Sequence, residues 1–248
     1  MWEVLQIVLW VILGLLGAFV LFVVFACVCS LFVDKYKDYP KDSKFFRFFL
    51  DTLTGVVLFF SNVKIHVKGK EKLPEGRFLM VSNHRSGYDA LSTWYAFRER
   101  QLACVSKPSN FKIPFFSRIT KRCCFMAIDR DSAKNAVKTI NYASEVMIND
   151  QVSVLVYPEG TRSKTGELLP FHNMVFRMAQ KAQVPIVVCT IRGTEKIKGR
   201  APFRKTDVYI EVVDVLPVEE VVEKRTNELG DKISGLMLDN LSQAENQK

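Results

Sequence analysis

The sequence lacks the spaced ligand and nucleophile motifs on which many enzymes depend. It holds only three histidines and six cysteines, and neither a Cys-x-x-Cys pair nor a His-Glu-x-x-His motif occurs among its 248 residues. This absence argues against a zinc site and against a disulfide framework. A Gly-x-Ser-x-Gly elbow is also missing, so the serine hydrolases that carry this elbow are not favoured.

Charge is absent from residues 4–33, where 26 of 30 positions are apolar and only Gln6 and Ser30 carry polar side chains. Thirty helical residues span roughly 45 Å, which exceeds the apolar core of a bilayer. No basic segment precedes the run and no small-residue cleavage site follows it, so we expect a retained anchor rather than a signal peptide. A core helix of a soluble protein is the alternative, but globular helices seldom run this long without a cap or charge.

Basic residues follow the apolar run and none precedes it. The basic side chains that follow are Lys35, Lys37, Lys41, Lys44 and Arg47. By the positive-inside rule, this asymmetry predicts that the remaining chain lies on the cytoplasmic side of the cell membrane. The net charge of +9 (35 basic minus 26 acidic residues) also belongs to that part. Such an excess suits an anionic membrane surface or a phosphate-bearing substrate.

A second apolar stretch, residues 45–60, is rich in phenylalanine and contains Arg47 and Asp51. It fits a helix that lies in the membrane interface, with both charged side chains reaching outward. A core helix of the following domain fits nearly as well. We therefore divide the chain into residues 1–61, a membrane anchor with an interfacial helix, and residues 62–248, a separate domain.

From residue 63 onward, strand-like runs alternate with helical patterns. The alternating run over residues 63–67 predicts a half-exposed strand, and the continuous apolar runs predict strands covered on both faces, over residues 78–81, 102–105, 124–128, 152–157 and 184–191. Residues 207–214 alternate again. Helical spacing covers residues 133–147, with Ser132 placed to cap the start, and residues 172–182 and 218–241. This alternation predicts an α/β fold with a largely parallel twisted sheet flanked by helices.

One histidine stands where chemistry is expected. His84 leaves the strand at residues 78–81, and the carboxyl ends of strands are where α/β sheets place their sites. Asp89 follows five positions later, in the first turn of the next helix, from which it can fold back onto the imidazole. A carboxylate on one ring nitrogen fixes the tautomer and raises the basicity of the other nitrogen. Such a pair can deprotonate an alcohol, although a turn histidine beside a helix N-terminal charge would look the same.

Phosphate-binding residue types follow other strand ends. After residues 152–157 the chain reads Pro158-Glu159-Gly160-Thr161-Arg162-Ser163. Its glycine allows close backbone approach, its hydroxyls can donate, and Arg162 offers a planar fork suited to phosphate. Lys107 and Arg130 follow two further strands. We expect these strand ends to converge on one basic patch, although Lys107 and Arg130 taken singly could equally be solvated surface charges.

These motifs resemble the glycerolipid acyltransferase family, and most closely its bacterial-type 1-acyl-glycerol-3-phosphate acyltransferases. The Asn-His-x4-Asp block is present at Asn83, His84 and Asp89, and the Tyr-Pro-Glu-Gly-Thr-Arg-Ser block is complete at residues 157–163. The second block keeps only its last residues, Ile128-Asp129-Arg130. The fourth, residues 184–188, lacks its closing proline, and His172 and Asn173 stand where lysines are usual after the third block.

The resemblance implies a membrane-bound enzyme that moves an acyl group from a thioester to the free hydroxyl of 1-acyl-glycerol 3-phosphate, which gives phosphatidic acid. It implies His84 as general base and Asp89 as its orienting carboxylate. It assigns the acceptor phosphate to Arg162, Lys107 and Arg130, in a pocket shaped by Glu159, Gly160 and Thr161. Glu159 would touch the glycerol or position Arg162.

The implied partners are a membrane lipid as acceptor and either acyl-CoA or an acidic acyl carrier protein as thioester co-substrate. No cofactor, metal or nucleic acid is expected. Three alternatives stay open: a sister acyltransferase for glycerol 3-phosphate or another lysophospholipid, a lipid hydrolase, and a membrane-bound lipid-binding protein without activity. The residues by themselves do not choose the acyl donor or the chain length.

Overall fold

The structure is a computed structural model that describes residues 1–129 and 132–246, with side chains through residue 244. The helices of this part are α1 (Trp2–Leu31), α2 (Lys44–Phe60), α3 (Tyr88–Ala96), α4 (Phe116–Arg122), α5 (Ala133–Ile148), α6 (Arg177–Ala182), α7 (Ile197–Arg200), α8 (Val218–Glu223) and α9 (Thr226–Asn246). The strands are β1 (Val63–Lys68), β2 (Leu79–Ser82), β3 (Leu102–Ser106), β4 (Met126–Ala127), β5 (Ser153–Val156), β6 (Ile186–Arg192) and β7 (Thr206–Leu216).

The strands form one sheet in the order β1-β7-β6-β2-β5-β3-β4. All neighbouring pairs are parallel except β6 and β7, which are antiparallel. The central strands are covered on both faces, and Leu79, Val154 and Ile186 are each 0% exposed. Continuous apolar runs are therefore strands here, and the predicted α/β fold with a largely parallel sheet is confirmed. Because β2, β5, β3 and β4 are successive parallel neighbours, their carboxyl ends share one edge of the sheet.

The predicted helices form, although the pattern over residues 172–182 gives a short 3-10 helix, Asn173–Phe176, before α6. Ser132 caps α5, since its side chain accepts a hydrogen bond from the backbone N–H of Asn135. The helical spacing over residues 218–241 is divided between α8 and α9. The amide of Gln180 on α6 donates to the carbonyl of Lys224 at 2.7 Å and so satisfies the end of α8. The carboxylate of Glu228 accepts from the backbone N–H of Arg225 at 2.7 Å and begins α9.

Among the described residues, α1 is the one helix long and apolar enough to cross a membrane by length and composition. It contacts the domain through its last turns, where Ala26 and Ser30 are buried. Phe22 packs on Phe48 and Phe49 of α2, and Phe25 packs on Phe45, so the two helices run antiparallel. The guanidinium of Arg118 donates to the carbonyls of Ser30, Leu31 and Val33 at 2.8–3.3 Å, and thereby binds the negative end of α1.

The helix α2 is part of the domain, and the outward placement expected of Arg47 is wrong. One face of α2, with Phe49, Leu50 and Leu58, belongs to the hydrophobic core, whereas Phe59 and Phe60 are exposed. Arg47 is only 6% exposed and points inward. It pairs with Asp42 at 2.7 Å and donates to two buried carbonyls, those of Leu102 and Cys123. Arg47 is buried because these acceptors compensate for the water that its guanidinium loses.

Asp51 is half-buried rather than directed outward, and one of its carboxylate oxygens has neither solvent contact nor a hydrogen-bond partner in the described chain. Burial raises the pKa of this carboxyl to about 6, although Arg47 and Arg98 oppose the change. An acid whose folded pKa is raised disfavours the folded state above that pKa. The resulting loss of stability develops as the pH rises through the interval between the unfolded value of 3.8 and about 6.

Asp51→Asn should therefore raise the melting temperature at pH 7.5 and leave it unchanged near pH 4, where the native carboxyl is already protonated. Thermal unfolding of the detergent-solubilised chain at both pH values measures this difference. Asp239→Asn, at an exposed position on α9, is the matched control and should not change the melting temperature at either pH. Equal melting temperatures of parent and Asp51→Asn at pH 7.5 would contradict the prediction.

Candidate active site

The segment after β2 carries the imidazole and is fixed to the neighbouring strand. Asn83 is 2% exposed, and its side-chain amide exchanges two hydrogen bonds with the backbone of Ile191 on β6, at 2.7 and 3.1 Å. This double contact ends β2 and starts the turn that leads to α3. It leaves His84 at the carboxyl edge of the sheet, where the side chain is 20% exposed. The imidazole can therefore meet both the protein interior and a bound molecule.

The structure brings His84 and Asp89 together as their spacing predicts. Oδ2 of Asp89 lies 2.7 Å from Nδ1 of His84 and also accepts from the backbone N–H groups of Arg85 and Ser86, at 2.6 and 2.7 Å. Asp89 is fully buried in the first turn of α3, where a negative charge interacts favourably with the helix dipole. Because Oδ2 already accepts from two N–H groups, it faces Nδ1 as an acceptor too. The neutral tautomer that fits this contact has its proton on Nδ1 and its lone pair on Nε2.

A third residue completes this pair and was missed in the sequence. Thr194, which is 0% exposed, donates its hydroxyl to Oδ1 of Asp89. It follows β6 directly after Gly193, whose φ of +94° turns the chain toward the site. A side chain at position 193 would collide with the carbonyl of Asp207, so glycine is required there. A hydroxyl directly after a buried strand and a glycine was the available signal, although it is a weak one.

An aromatic ring supports the imidazole from one side. The rings of Tyr157 and His84 are stacked with centroids 4.4 Å apart and an interplanar angle of 24°. The Tyr157 hydroxyl donates to Oγ1 of Thr93 at 3.4 Å, and burial raises the pKa of this phenol well above its usual range, with the charge of Asp89 adding to the effect. Tyr157 thus stays neutral. The stacked Tyr157 ring keeps the imidazole in its own plane. The contact of Nδ1 with Asp89 then restricts rotation within that plane.

Glu159 connects the two motif segments through their backbones. It is 3% exposed, and Oε1 accepts from the backbone N–H of His84 at 2.6 Å while Oε2 accepts from that of Leu169 at 2.9 Å. Burial raises the pKa of this carboxyl, and the two backbone N–H groups oppose that rise. The observed contacts make Glu159 a brace between the ends of β2 and β5. The contact with glycerol and the positioning of Arg162 that the sequence suggested remain untested.

The residues after Glu159 form an open rim beside the imidazole. Gly160 has a φ of +71°, which lets the chain turn back at the end of β5. Thr161 and Arg162 are exposed. A Cβ on Gly87 would lie 3.6 Å from Nη1 of Arg162, so this guanidinium lies over the turn between His84 and α3. The backbone N–H of Ser163 donates to the carbonyl of His84 at 2.8 Å and holds the rim in place.

The other two predicted cations are less closely placed. Lys107 is exposed at the end of β3, the neighbour of β5, and it makes no ion pair or side-chain hydrogen bond within the described part of the chain. Its place on the shared edge agrees with the predicted patch, but the structure does not bring it against His84 or Arg162. Arg130 lies outside the described residues. The strand that precedes it, β4, is the next neighbour beyond β3.

Comparison with known proteins points to one family. The sequence model of the Acyltransferase family matches residues 64–192. A Saccharomyces cerevisiae 1-acyl-sn-glycerol-3-phosphate acyltransferase is 25% identical over 183 residues, which cover 72% of this chain and 60% of the relative. A putative Caenorhabditis elegans enzyme of the same name is 30% identical over 158 residues (62% of this chain, 59% of the relative). The human alpha form is 27% identical over 183 residues (71% and 63%).

A solved structure shares the fold. The 1-acyl-sn-glycerophosphate acyltransferase PlsC from Thermotoga maritima superposes with a TM-score of 0.70 at 21% identity and covers 91% of this chain and 89% of its own. The similarity in fold therefore extends over most of the chain. With the curated relatives, by contrast, the match spans only about 60% of their length.

The brace formed by Glu159 can be tested through stability. Glu159→Gln should lower the free energy of unfolding by about 1–3 kcal/mol, because the amide NH2 must face one of the two backbone N–H groups. Denaturant unfolding in detergent measures this loss. Glu167→Gln, at an exposed position on the same loop, should remain within about 0.5 kcal/mol of the parent. A Glu159→Gln variant as stable as the Glu167 control would show that the carboxylate is not a brace.

Proposed function

The chain belongs to the Acyltransferase family, and from this premise we propose that it transfers a fatty acyl group from a thioester to the free hydroxyl of 1-acyl-glycerol 3-phosphate. The product is phosphatidic acid. One observation carries the proposal: a buried carboxylate holds Nδ1 of His84 at 2.7 Å beside an exposed guanidinium, that of Arg162. A base for the hydroxyl and a cation for the phosphate are the two groups that this acceptor requires.

The chemistry follows from the protonation of this pair. Nε2 of His84 takes the proton of the acceptor hydroxyl while the oxygen attacks the thioester carbonyl, and Asp89 stabilises the imidazolium that forms. When the tetrahedral intermediate collapses, the carbon–sulfur bond breaks and the imidazolium returns its proton to the leaving thiolate. The enzyme ends in its starting state, without a covalent intermediate. General base catalysis supplies about 10²- to 10⁴-fold, so the remaining acceleration depends on holding the two substrates together.

The exposed cations of the rim are assigned to the acceptor phosphate. Arg162 lies over the turn that follows His84, and its fork can bind two phosphate oxygens at once. Lys107, at the end of the neighbouring strand, extends the positive charge along the same edge. Arg130, which follows β4 in the sequence, is assigned to the phosphate by its position in the motif alone. Thr161 offers a hydroxyl beside Arg162. Acyl-CoA and acyl carrier protein both end in a phosphopantetheine thioester, so the same chemistry serves either donor.

His84→Ala should reduce phosphatidic acid formation by at least 10²-fold and leave binding of lysophosphatidate measurable. The assay uses purified protein with acyl-CoA and acyl carrier protein donors in parallel, and with glycerol 3-phosphate and other lysophospholipids as competing acceptors. His66→Ala is a matched control, because His66 also lies 2.7 Å from an aspartate, Asp207, but on β1. Near-normal turnover of His84→Ala would refute the mechanism, and release of free fatty acid without acceptor would indicate a hydrolase instead.

We further propose that α1 anchors the enzyme in the cell membrane with the domain on the cytoplasmic side. The support is the length of α1 and the basic residues that follow it, Lys35, Lys37 and Lys41. Protease added to sealed vesicles with their outer face exposed should leave a C-terminal tag attached to the intact domain, and should remove it once the vesicles are opened. Cleavage in sealed vesicles would reverse the assigned orientation.

A further inference from the structure

The connection between β6 and β7 is strongly basic and carries an unusually exposed aromatic ring. We call residues 195–205 the cationic loop. Its basic residues are Lys196, Lys198, Arg200, Arg204 and Lys205, all exposed, against one acid, Glu195. Phe203 lies among them and is 91% exposed. A phenyl ring left in water beside five like charges does not stabilise the fold. The combination therefore indicates a surface that binds a partner.

Most of this charge is unneutralised. Lys205 pairs with Asp207 at 3.1 Å, and the carboxylate of Glu195 accepts a hydrogen bond from the backbone N–H of Gly193. Within residues 1–129 and 132–246, the other four cations of the loop form no ion pair. Like charges that lack counter-charges repel one another, and this repulsion raises the free energy of the folded chain. An anionic partner would remove it.

The cationic loop lies at the same edge of the sheet as the catalytic pair. It begins directly after Thr194, whose hydroxyl binds Asp89. It ends directly before Thr206, whose backbone N–H donates to the carbonyl of Asn62 at 2.9 Å. Asn62 lies two residues after the end of α2, whose last residues Phe59 and Phe60 are 77% and 67% exposed. The exposed aromatic end of α2 and the cationic loop therefore meet at the same edge of the sheet as the catalytic pair.

The long apolar helix favours a lipid surface as the partner. Because α1 runs antiparallel to α2, it points from its contact with the domain toward the edge where α2 ends. A bilayer that holds α1 is thereby brought to the edge that carries the cationic loop. Arginine and lysine bind anionic headgroups, and a phenyl ring among them fits the boundary between headgroups and acyl chains.

We propose that the cationic loop is a second membrane-contact site, in which the loop cations bind anionic lipid headgroups while Phe203 enters the interface. This second contact goes beyond the proposed transfer reaction, because it concerns how the domain binds the membrane and does not depend on catalysis. Its effect on a lipid acceptor is to hold the mouth of the site against the bilayer surface, so that the acceptor hydroxyl reaches His84 without leaving the lipid.

The test places a fluorophore at the tip of the loop in the full chain. Phe203→Trp is reconstituted into vesicles that contain brominated phosphatidylcholine, alone or mixed with phosphatidylglycerol, and the emission of the parent, from Trp2, Trp10 and Trp94, is subtracted. We expect bromine to quench the added emission in the anionic vesicles and much less in the neutral ones. High salt should weaken the quenching, because it screens the headgroup charge. Glu75→Trp, at an exposed position before β2, reports the opposite edge of the sheet and should not be quenched.

A double substitution of two loop cations tests whether the lipid contact depends on their charge. Arg200→Gln/Arg204→Gln in the Phe203→Trp chain should weaken the lipid contact by about fivefold per cation removed. Quenching of Trp2 and Trp10 in α1 should persist and shows that the chain is still inserted. Unquenched emission from position 203, or equal quenching in neutral and anionic vesicles, would overturn the proposal. If acyl carrier protein changed this emission while bromine did not, the loop would be a docking surface for an acidic protein and the lipid assignment would fall.

Discussion

The arrangement of the site depends on one buried carboxylate. Asp89 accepts hydrogen bonds from the backbone N–H groups of Arg85 and Ser86 and from the hydroxyl of Thr194, and it still holds the imidazole of His84. A fully buried charge with fewer partners would be costly, and these donors make the ionised form stable in the interior. They also leave the carboxylate a single orientation. The tautomer of His84, and with it the free lone pair of Nε2, follows from that orientation.

Hydrogen bonds to the backbone position the rest of the site. Glu159 fastens the backbone N–H of His84 to the end of β5, and Asn83 fastens the end of β2 to β6. Both side chains are buried and both bind the main chain of a neighbouring segment. Two of the motif positions thus support the structure, whereas Arg162 and Thr161 are exposed. A motif match alone does not separate these two kinds of residue.

The two N-terminal helices contact the domain in different ways. The exposed apolar side chains of α1 have nothing to pack on within the described chain. By contrast, one face of α2 shares the core of the domain. Arg118 binds the carbonyl end of α1, and Arg47 fastens the start of α2 to β3. Arg47 belongs to α2 and points into the protein, whereas Arg118 belongs to α4 and reaches the end of α1. The direction of a lone cation in such a helix is set by the acceptors that the fold provides, and these come from distant parts of the chain.

The sequence by itself determined the α/β class, the strand positions, the long apolar helix and the pairing of His84 with Asp89, because these follow from local periodicity and from residues five positions apart. Only the tertiary structure decided that Arg47 is buried, that Glu159 braces a backbone, and that Thr194 and Tyr157 join the imidazole. Most of these depend on contacts between segments far apart in the chain, and the contacts within the site follow from the strand order β6-β2-β5. Local patterns carry no information about which strand ends become neighbours, and that order decides which side chains meet.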